Sequence, residues 1–295
     1  RGASWHRASR PSSVTPLTRT PRWQSGAMQL LRTALTGTAI ATAGSVALGA
    51  AAARRLLHPA PFTPAESELV WTREQDVPGT EPDGVARVHV VHVHGQSIGP
   101  QQVLRGLRVW RALGAANQVV DTTDLPLRSL DPVAVDRIAA AAHAARARGA
   151  ERVVLQGWSA GALAASAAAA RTPVDGIVGV APLLDVRSAL RGAVTAARFP
   201  AAVGVVAGRI ATTPGLSRLA GVPYPLTVTR WQDEGTPTLL MHSAADPLVA
   251  ADDVAAQRAR GATTVAFDEA RHTLEWNEDP ERWETAVRDF ATALD

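Results

Sequence analysis

The sequence contains no cysteine, no lysine and a single tyrosine among its 295 residues. The absence of cysteine excludes disulfides, zinc sites with thiolate ligands and a cysteine nucleophile. The 30 basic residues are therefore all arginines, and the formal net charge is only +3. No dense basic run with interleaved aromatic residues occurs, so nucleic-acid binding is disfavoured. With 46% hydrophobic residues, the chain can bury a stable core without cross-links.

Acidic residues are also missing from the first 65 positions. Residues 1–32 are rich in Arg, Ser, Thr and Pro and show no apolar periodicity over most of their length. This composition is typical of disorder, or of sequence that lies upstream of a true start at Met28. We therefore predict no folded structure for residues 1–32.

A hydrophobic segment follows over residues 33–55, and its first 21 residues, 33–53, carry no charge. Their length suits a membrane span, although Gly and Thr dilute the strongly apolar residues. A signal-anchor helix, a cleaved secretory signal and an Ala-rich soluble helix all remain open. Arginines lie on both sides, so the charge pattern hardly favours one orientation. We expect the main domain to be membrane-anchored through residues 33–53 or secreted, with the cytoplasm as the alternative.

From about residue 66 the chain alternates between two kinds of segment. Apolar and β-branched runs predict strands at 68–75, 85–93, 117–123, 151–156, 174–182, 236–243 and 263–270. Between them, helices are predicted at 101–113, 131–148, 160–171, 248–260 and 280–294. This alternation indicates an α/β fold, with a mostly parallel sheet covered by helices on both faces.

Residues 186–235 interrupt the alternation. They are helical in composition and carry four prolines. We predict that they form a small helical cap or lid inserted into a core made of residues 66–185 and 236–295.

The segment GWSAG at 157–161 follows a buried strand directly and precedes a helix. A nucleophilic serine on such a turn adopts a strained backbone, which requires small neighbours. The helix behind it also places its positive dipole end where negative charge develops. The pattern predicts Ser159 as a nucleophile. The alternative is a tight packing turn in which the serine only caps the helix.

A serine nucleophile needs a base, and the base needs an orienting acid. Asp246 comes directly after one predicted strand and His272 after the next, at the edge of a parallel sheet where ligands bind. The chain order of serine, acid and histidine is the one expected for a serine on a strand-to-helix turn. Three rival acids remain, which are Asp252, Asp253 and Asp268.

Three histidines, His89, His92 and His94, share one predicted strand and raise the question of a metal site. The metallohydrolase pattern H-x-H-x-D-H is absent, because Gln96 and Ser97 occupy the last two positions. We therefore expect no metal, and a structural role for His94 in ordering the following loop. Trp158 is expected either to line the pocket or to pack beneath the cap.

Four segments together resemble the α/β-hydrolase superfamily over residues 68–294: HGQ (94–96), GWSAG (157–161), SAADPLV (243–249) and ARHTLEWN (270–277). The resemblance implies an α/β-hydrolase fold with Ser159 as nucleophile, His272 as base and Asp246 as its partner. It also implies an oxyanion hole from the backbone N–H groups of Gln96 and Ala160, and it implies no cofactor. The loop at 121–130 lacks the Gly-rich pattern of many members. The Ala- and Arg-rich composition is typical of actinobacterial sequences.

The resemblance implies a serine hydrolase that cleaves a carboxylic ester of a small acyl substrate through an acyl-enzyme. The apolar composition of the cap suggests an apolar acyl or alcohol group. Two alternatives stay open. The same residues could serve amide or peptide cleavage or acyl transfer, or the chain could be a non-catalytic, membrane-tethered protein of the same fold.

Overall fold

The computed structural model describes residues 43–59, 86–232 and 235–294. The disorder predicted for residues 1–32 and the strand predicted at 68–75 lie outside these ranges. Residues 45–295 form one compact unit. Of the other unit, residues 1–44, only positions 43 and 44 are described.

Six parallel strands form the sheet of the described chain. They are β1 Val88–Val93, β2 Ala116–Val120, β3 Arg152–Trp158, β4 Gly176–Val180, β5 Thr238–Ser243 and β6 Thr263–Phe267. Their spatial order is β2-β1-β3-β4-β5-β6. The chain therefore starts inside the sheet, moves to one edge with β2, crosses back, and then proceeds strand by strand to the other edge. The predicted parallel α/β sheet is confirmed.

Helices cover both faces of this sheet. They are α1 43–57, α2 Leu104–Ala112, α3 Pro132–Ala147, α4 Ala160–Ala169, α5 Val186–Ala196, α6 Ala201–Thr212, α7 Ala251–Ala259, α8 Glu275–Glu278 and α9 Pro280–Ala293. Short 3-10 helices occupy Pro100–Val103, Arg128–Leu130 and Leu216–Ala220. One hydrophobic cluster joins α3 and α4 to the sheet, and a second joins α2 and α9 to the opposite face.

Local sequence explains two of these helices. The Asp131 carboxylate caps α3 by accepting a hydrogen bond of 3.0 Å from the Val133 N–H, and Pro132 occupies the first helical position. All residues of α4 except Ala169 are buried, and eight of its ten residues are Ala or Gly. Because these side chains are small, α4 can lie close to the sheet directly behind the turn that carries Ser159.

The segment predicted as a cap contains α5, α6 and the last 3-10 helix. Its two ends meet, because Asp185 and Arg230 form an antiparallel bridge and Val186 N–H donates to Thr229 O at 2.9 Å. The segment is therefore an excursion that leaves and re-enters the core at one point. Its role as a cap stays a prediction.

Helix α1 occupies the second half of the predicted hydrophobic segment and ends at residue 57, two positions before Pro59. Its residues Ala53 and Leu57 are fully buried in the cluster that also contains α3 and α4. None of the described helices combines the length and apolar character that a membrane crossing requires. Membrane association and secretion stay predictions.

Candidate active site

Ser159 lies on the turn between β3 and α4 with φ 53° and ψ −120°, a conformation that costs a non-glycine residue about 1–3 kcal/mol. Backbone hydrogen bonds hold it there. The Ser159 N–H donates to Val180 O at 2.9 Å, and Ser159 O accepts from Ala162 N–H and Leu183 N–H at 3.1 Å each. The strain is therefore maintained by the end of β4 and by the first turn of α4.

The two glycines that flank Ser159 are required by close backbone contacts. A Cβ on Gly161 would lie 2.4 Å from Val93 O and 2.6 Å from His94 O. A Cβ on Gly157 would lie 2.4 Å from the Ala162 Cα. These distances are shorter than any van der Waals contact, so the small residues in the motif have a steric reason.

The structure brings Ser159, His272 and Asp246 together. His272 Nε2 lies 2.7 Å from Ser159 Oγ, and His272 Nδ1 lies 2.6 Å from Asp246 Oδ2. Because the carboxylate can only accept, Nδ1 carries the proton and Nε2 is free to accept from the serine hydroxyl. The Asp246 side chain is fully buried, whereas the imidazole is 26% exposed. The acid is thus shielded from water while the base remains accessible.

Asp246 owes its position to the turn after β5. Its second oxygen, Oδ1, accepts a hydrogen bond of 2.9 Å from Leu248 N–H, which leaves Oδ2 facing His272. The rival acids lie elsewhere. Asp252 is exposed and Asp253 half-buried in the first turn of α7, and Asp268 is exposed just past β6.

The loop that carries His272 is fixed by a residue that sequence reasoning did not identify. Thr273 has φ 65°, and its carbonyl accepts a hydrogen bond from the guanidinium of buried Arg105 on α2. Arg105 therefore holds the backbone next to His272. A buried arginine in an otherwise amphipathic helix gives no distinct signal in the sequence.

Glu275 was also not predicted. Its carboxyl group is fully buried at the start of α8, and neither oxygen has a hydrogen-bond partner within the described chain. Burial, reinforced by the charge of Asp246, raises the pKa of Glu275 to about 8. The group is therefore mostly protonated at neutral pH, which avoids a second negative charge behind the Asp246–His272 pair.

The loop after β1 carries Gln96 beside Ser159. Gly95 N–H donates to the side chain of buried Gln102 at 2.6 Å, and a Cβ on Gly95 would lie 3.2 Å from Ser159 Cβ. The Gln96 side chain accepts from Ser129 N–H at 3.2 Å. Among the bonds of the described chain, the backbone N–H groups of Gln96 and Ala160 have no acceptor. Their role as an oxyanion hole stays a prediction.

The His94 side chain makes hydrogen bonds that hold the loop after β1. Its Nε2 accepts a hydrogen bond of 3.0 Å from Thr122 N–H, so the proton of the neutral ring lies on Nδ1, which donates to Gly95 O at 2.7 Å. Burial lowers the pKa of His94, so the neutral ring is favoured. Among the described residues, no three His, Asp or Glu side chains are grouped so that they could hold a metal ion.

The fold of this chain is similar to that of solved structures, whereas its sequence matches no known family. No family model matches the sequence, and no curated protein matches it either. Among solved structures, an esterase from Pyrococcus furiosus is 14% identical with a TM-score of 0.53, and the match covers 70% of this chain and 82% of that chain. The chain has the α/β-hydrolase fold. A hydrolase of the alpha/beta superfamily from Xanthomonas campestris is 24% identical with a TM-score of 0.47, over 70% of this chain and 97% of that chain.

In this α/β-hydrolase fold, the candidate residues come from the carboxyl ends of four strands. Gln96 follows β1, Ser159 follows β3, Asp246 follows β5 and His272 follows β6. Trp158, the residue before the nucleophile, corrects the expectation from sequence. Its side chain is fully buried with α2 and α9 on the other face of the sheet, and it neither lines the pocket nor packs beneath the predicted cap.

A cavity of about 440 Å³ opens beside Ser159 and His272, within the usual range of about 300–1,000 Å³ for ligand sites. Its floor contains Gln96, Ser159 and Ala160. Most of the remaining lining is aliphatic and comes from α1, from α5, and from the segment between α5 and α6. Connecting segments of the core add Leu130, Leu183 and Leu248, so the core supplies both the polar residues beside Ser159 and part of the apolar wall.

Proposed function

We propose that this protein is a serine hydrolase that cleaves a carboxylic ester of a small acyl substrate. The observation that carries the proposal is one continuous chain of hydrogen bonds. Ser159 Oγ lies 2.7 Å from His272 Nε2, and His272 Nδ1 lies 2.6 Å from Asp246. A hydroxyl linked in this way to a neutral imidazole and a buried carboxylate is primed for nucleophilic attack.

In the first half of the reaction, Ser159 Oγ forms a bond to the ester carbonyl carbon while its proton moves to His272 Nε2. The carbonyl oxygen becomes an oxyanion, which accepts hydrogen bonds from the backbone N–H groups of Gln96 and Ala160. The tetrahedral intermediate then breaks its bond to the alcohol oxygen. The alcohol leaves with the proton from His272, and the acyl group remains on Ser159.

Water completes the reaction. It gives a proton to His272 Nε2 and adds to the acyl carbon, and the same two amides stabilise the second oxyanion. Collapse of this intermediate returns the proton to Ser159 Oγ and releases the carboxylic acid. Both halves need a neutral imidazole, because His272 Nε2 must accept a proton in each of them.

A fluorophosphonate probe tests the nucleophile directly. We expect the wild-type protein to be labelled once per chain and the Ser159→Ala variant not to be labelled. Ser97, the second serine that lines the cavity, is the matched control because its hydroxyl is not bonded to His272. Labelling should persist in Ser97→Ala. Labelling that survives in Ser159→Ala would refute the proposal.

The competing reactions differ in the bond that is broken. Paired p-nitrophenyl esters and p-nitroanilides of the same acyl group separate ester from amide cleavage, and we expect turnover of the ester. Faster release of the chromophore when an alcohol is added would indicate acyl transfer. A protein that is neither labelled nor active on any ester would instead favour a non-catalytic role.

A further inference from the structure

Helix α1 contributes to the wall of the cavity beside Ser159, although 30 residues separate its end from β1. Six of the residues that line the cavity come from this segment: Leu48, Ala51, Ala52, Arg55, Leu56 and Pro59. Other lining residues come from α5 and from Phe199 before α6. Residues of α1 and of the predicted cap therefore share the lining of the cavity beside Ser159.

The position of α1 is fixed by close packing. A Cβ on Gly49 would lie 2.6 Å from the Val206 side chain of α6, so the two helices touch through the glycine backbone. Ala53 and Leu57 are buried in the main hydrophobic cluster. On the other side, a Cβ on Gly192 of α5 would lie 1.8 Å from Pro247 O, next to Asp246. Both helices are thus packed closely against their neighbours.

The chemistry of the lining selects an apolar occupant. Away from the floor, the described lining carries a single charged side chain, Arg55, and no acidic one. Leu48 and Phe199 are 44% and 48% exposed. Burying such aliphatic and aromatic surface against a hydrocarbon chain is favourable, whereas a polar acyl group would lose its hydrogen bonds to water.

We propose that the hydrocarbon chain of the acyl group lies in this cavity against α1, and that the side chains of α1 limit the length of chain that the enzyme accepts. The proposal rests on the hydrolase function proposed above and names its substrate class as esters of aliphatic carboxylic acids. It also requires residues 45–59 to remain on the active enzyme, which contradicts removal of the hydrophobic segment as a signal peptide.

Chain-length selectivity tests the proposal. The full-length protein is assayed with p-nitrophenyl acetate, butyrate, octanoate and palmitate. Ala52→Phe places a ring in the cavity wall, so the ratio of kcat/KM for octanoate to that for acetate should fall about 10-fold or more. The matched control is Ala47→Phe. Ala47 lies on the same helix, is exposed and does not line the cavity, so its selectivity should match the wild type.

A second variant covers the case in which Ala52→Phe folds poorly. Leu48→Ala removes side-chain volume from the wall without introducing a clash, and it should raise the ratio of kcat/KM for palmitate to that for acetate. An unchanged chain-length profile in both cavity variants would overturn the proposal. So would an active enzyme whose mature chain, by intact mass, begins after residue 59.

Fluorophosphonate labelling distinguishes failure of the proposed role of α1 from failure of the proposed hydrolase function. If the wild type reacts with the probe and hydrolyses acetate, but no α1 variant alters chain preference, only the role of α1 is wrong. If the wild type is not labelled and hydrolyses no ester, the hydrolase function itself is wrong.

Discussion

His272 Nε2 lies 2.7 Å from Ser159 Oγ, although 113 residues separate them in sequence. The parallel sheet makes this possible, because the carboxyl ends of β3 and β6 point to the same edge and their loops meet above it. Neither residue is held by local structure alone. Val180 fixes the serine turn, and Arg105 fixes the histidine loop through the carbonyl of Thr273.

Replacing the acid should remove most of the activity. In Asp246→Asn an amide stands next to His272 Nδ1, and an amide NH₂ group can donate there and favour the wrong imidazole tautomer. We expect kcat for an ester to fall by about 10³- to 10⁴-fold with little change in stability. Steady-state kinetics measure the loss. Asp252→Asn, on the exposed side of α7, should retain full activity, and an equal loss there would contradict this assignment.

The steric need for Gly161 predicts a large loss of stability in Gly161→Ala. The added methyl group would meet two backbone carbonyls, Val93 O and His94 O, and these cannot rotate away. We expect the free energy of unfolding to fall by about 3 kcal/mol. Urea denaturation measures this loss. Gly235→Ala is the matched control, because a Cβ there has no atom within 4 Å, and its stability should match the wild type.

Glu275 predicts a stability that depends on pH. The pKa of its buried carboxyl is raised from 4.5 to about 8. Between these two values the folded protein holds a proton that the unfolded chain has lost, so the free energy of unfolding falls as pH rises. This one group contributes a slope of at most about 1.4 kcal/mol per pH unit. Below pH 4.5 the group is protonated in both the folded and the unfolded state, so it no longer contributes to the slope.

The neutral variant Glu275→Gln should therefore flatten this slope and be more stable than the wild type near pH 8. Chemical denaturation at several pH values between 4.5 and 8 measures the difference. Glu281→Gln removes an exposed carboxylate from the first turn of α9 and should leave the slope unchanged. Identical slopes in the wild type and Glu275→Gln would show that the buried group ionises normally.

Much of the fold could be predicted because its signals are local. The start of α3 was evident from Asp131 followed by Pro132, and β3 from a run of β-branched and apolar residues. The motif around Ser159 predicted the turn between strand and helix. Asp246 was favoured over Asp252 because it comes directly after a predicted strand, whereas Asp252 falls within a predicted helix. The catalytic role of these residues stays a prediction, which the labelling and kinetic experiments test.

Other features could not be predicted, because they depend on how segments that are far apart in the sequence pack together. Trp158 follows the alternation of β3 and packs away from the cavity, although it is adjacent to the nucleophile. Glu275 resembles any helix-start carboxylate until its burial is known. The position of residues 45–59 depends on contacts such as that of Gly49 with Val206 of α6, which lies more than 120 residues later in sequence.

The sequence by itself determined the alternation of strands and helices and the residue types around the serine turn, because hydrophobic periodicity and steric limits act between neighbours in the chain. Only the tertiary structure shows what lines the cavity beside Ser159. An uncharged Ala-rich segment is compatible with a membrane, a signal peptide or a protein surface, and the structure places residues of helix α1 in the lining of that cavity. That placement depends on apolar area buried between remote segments, which no local pattern encodes.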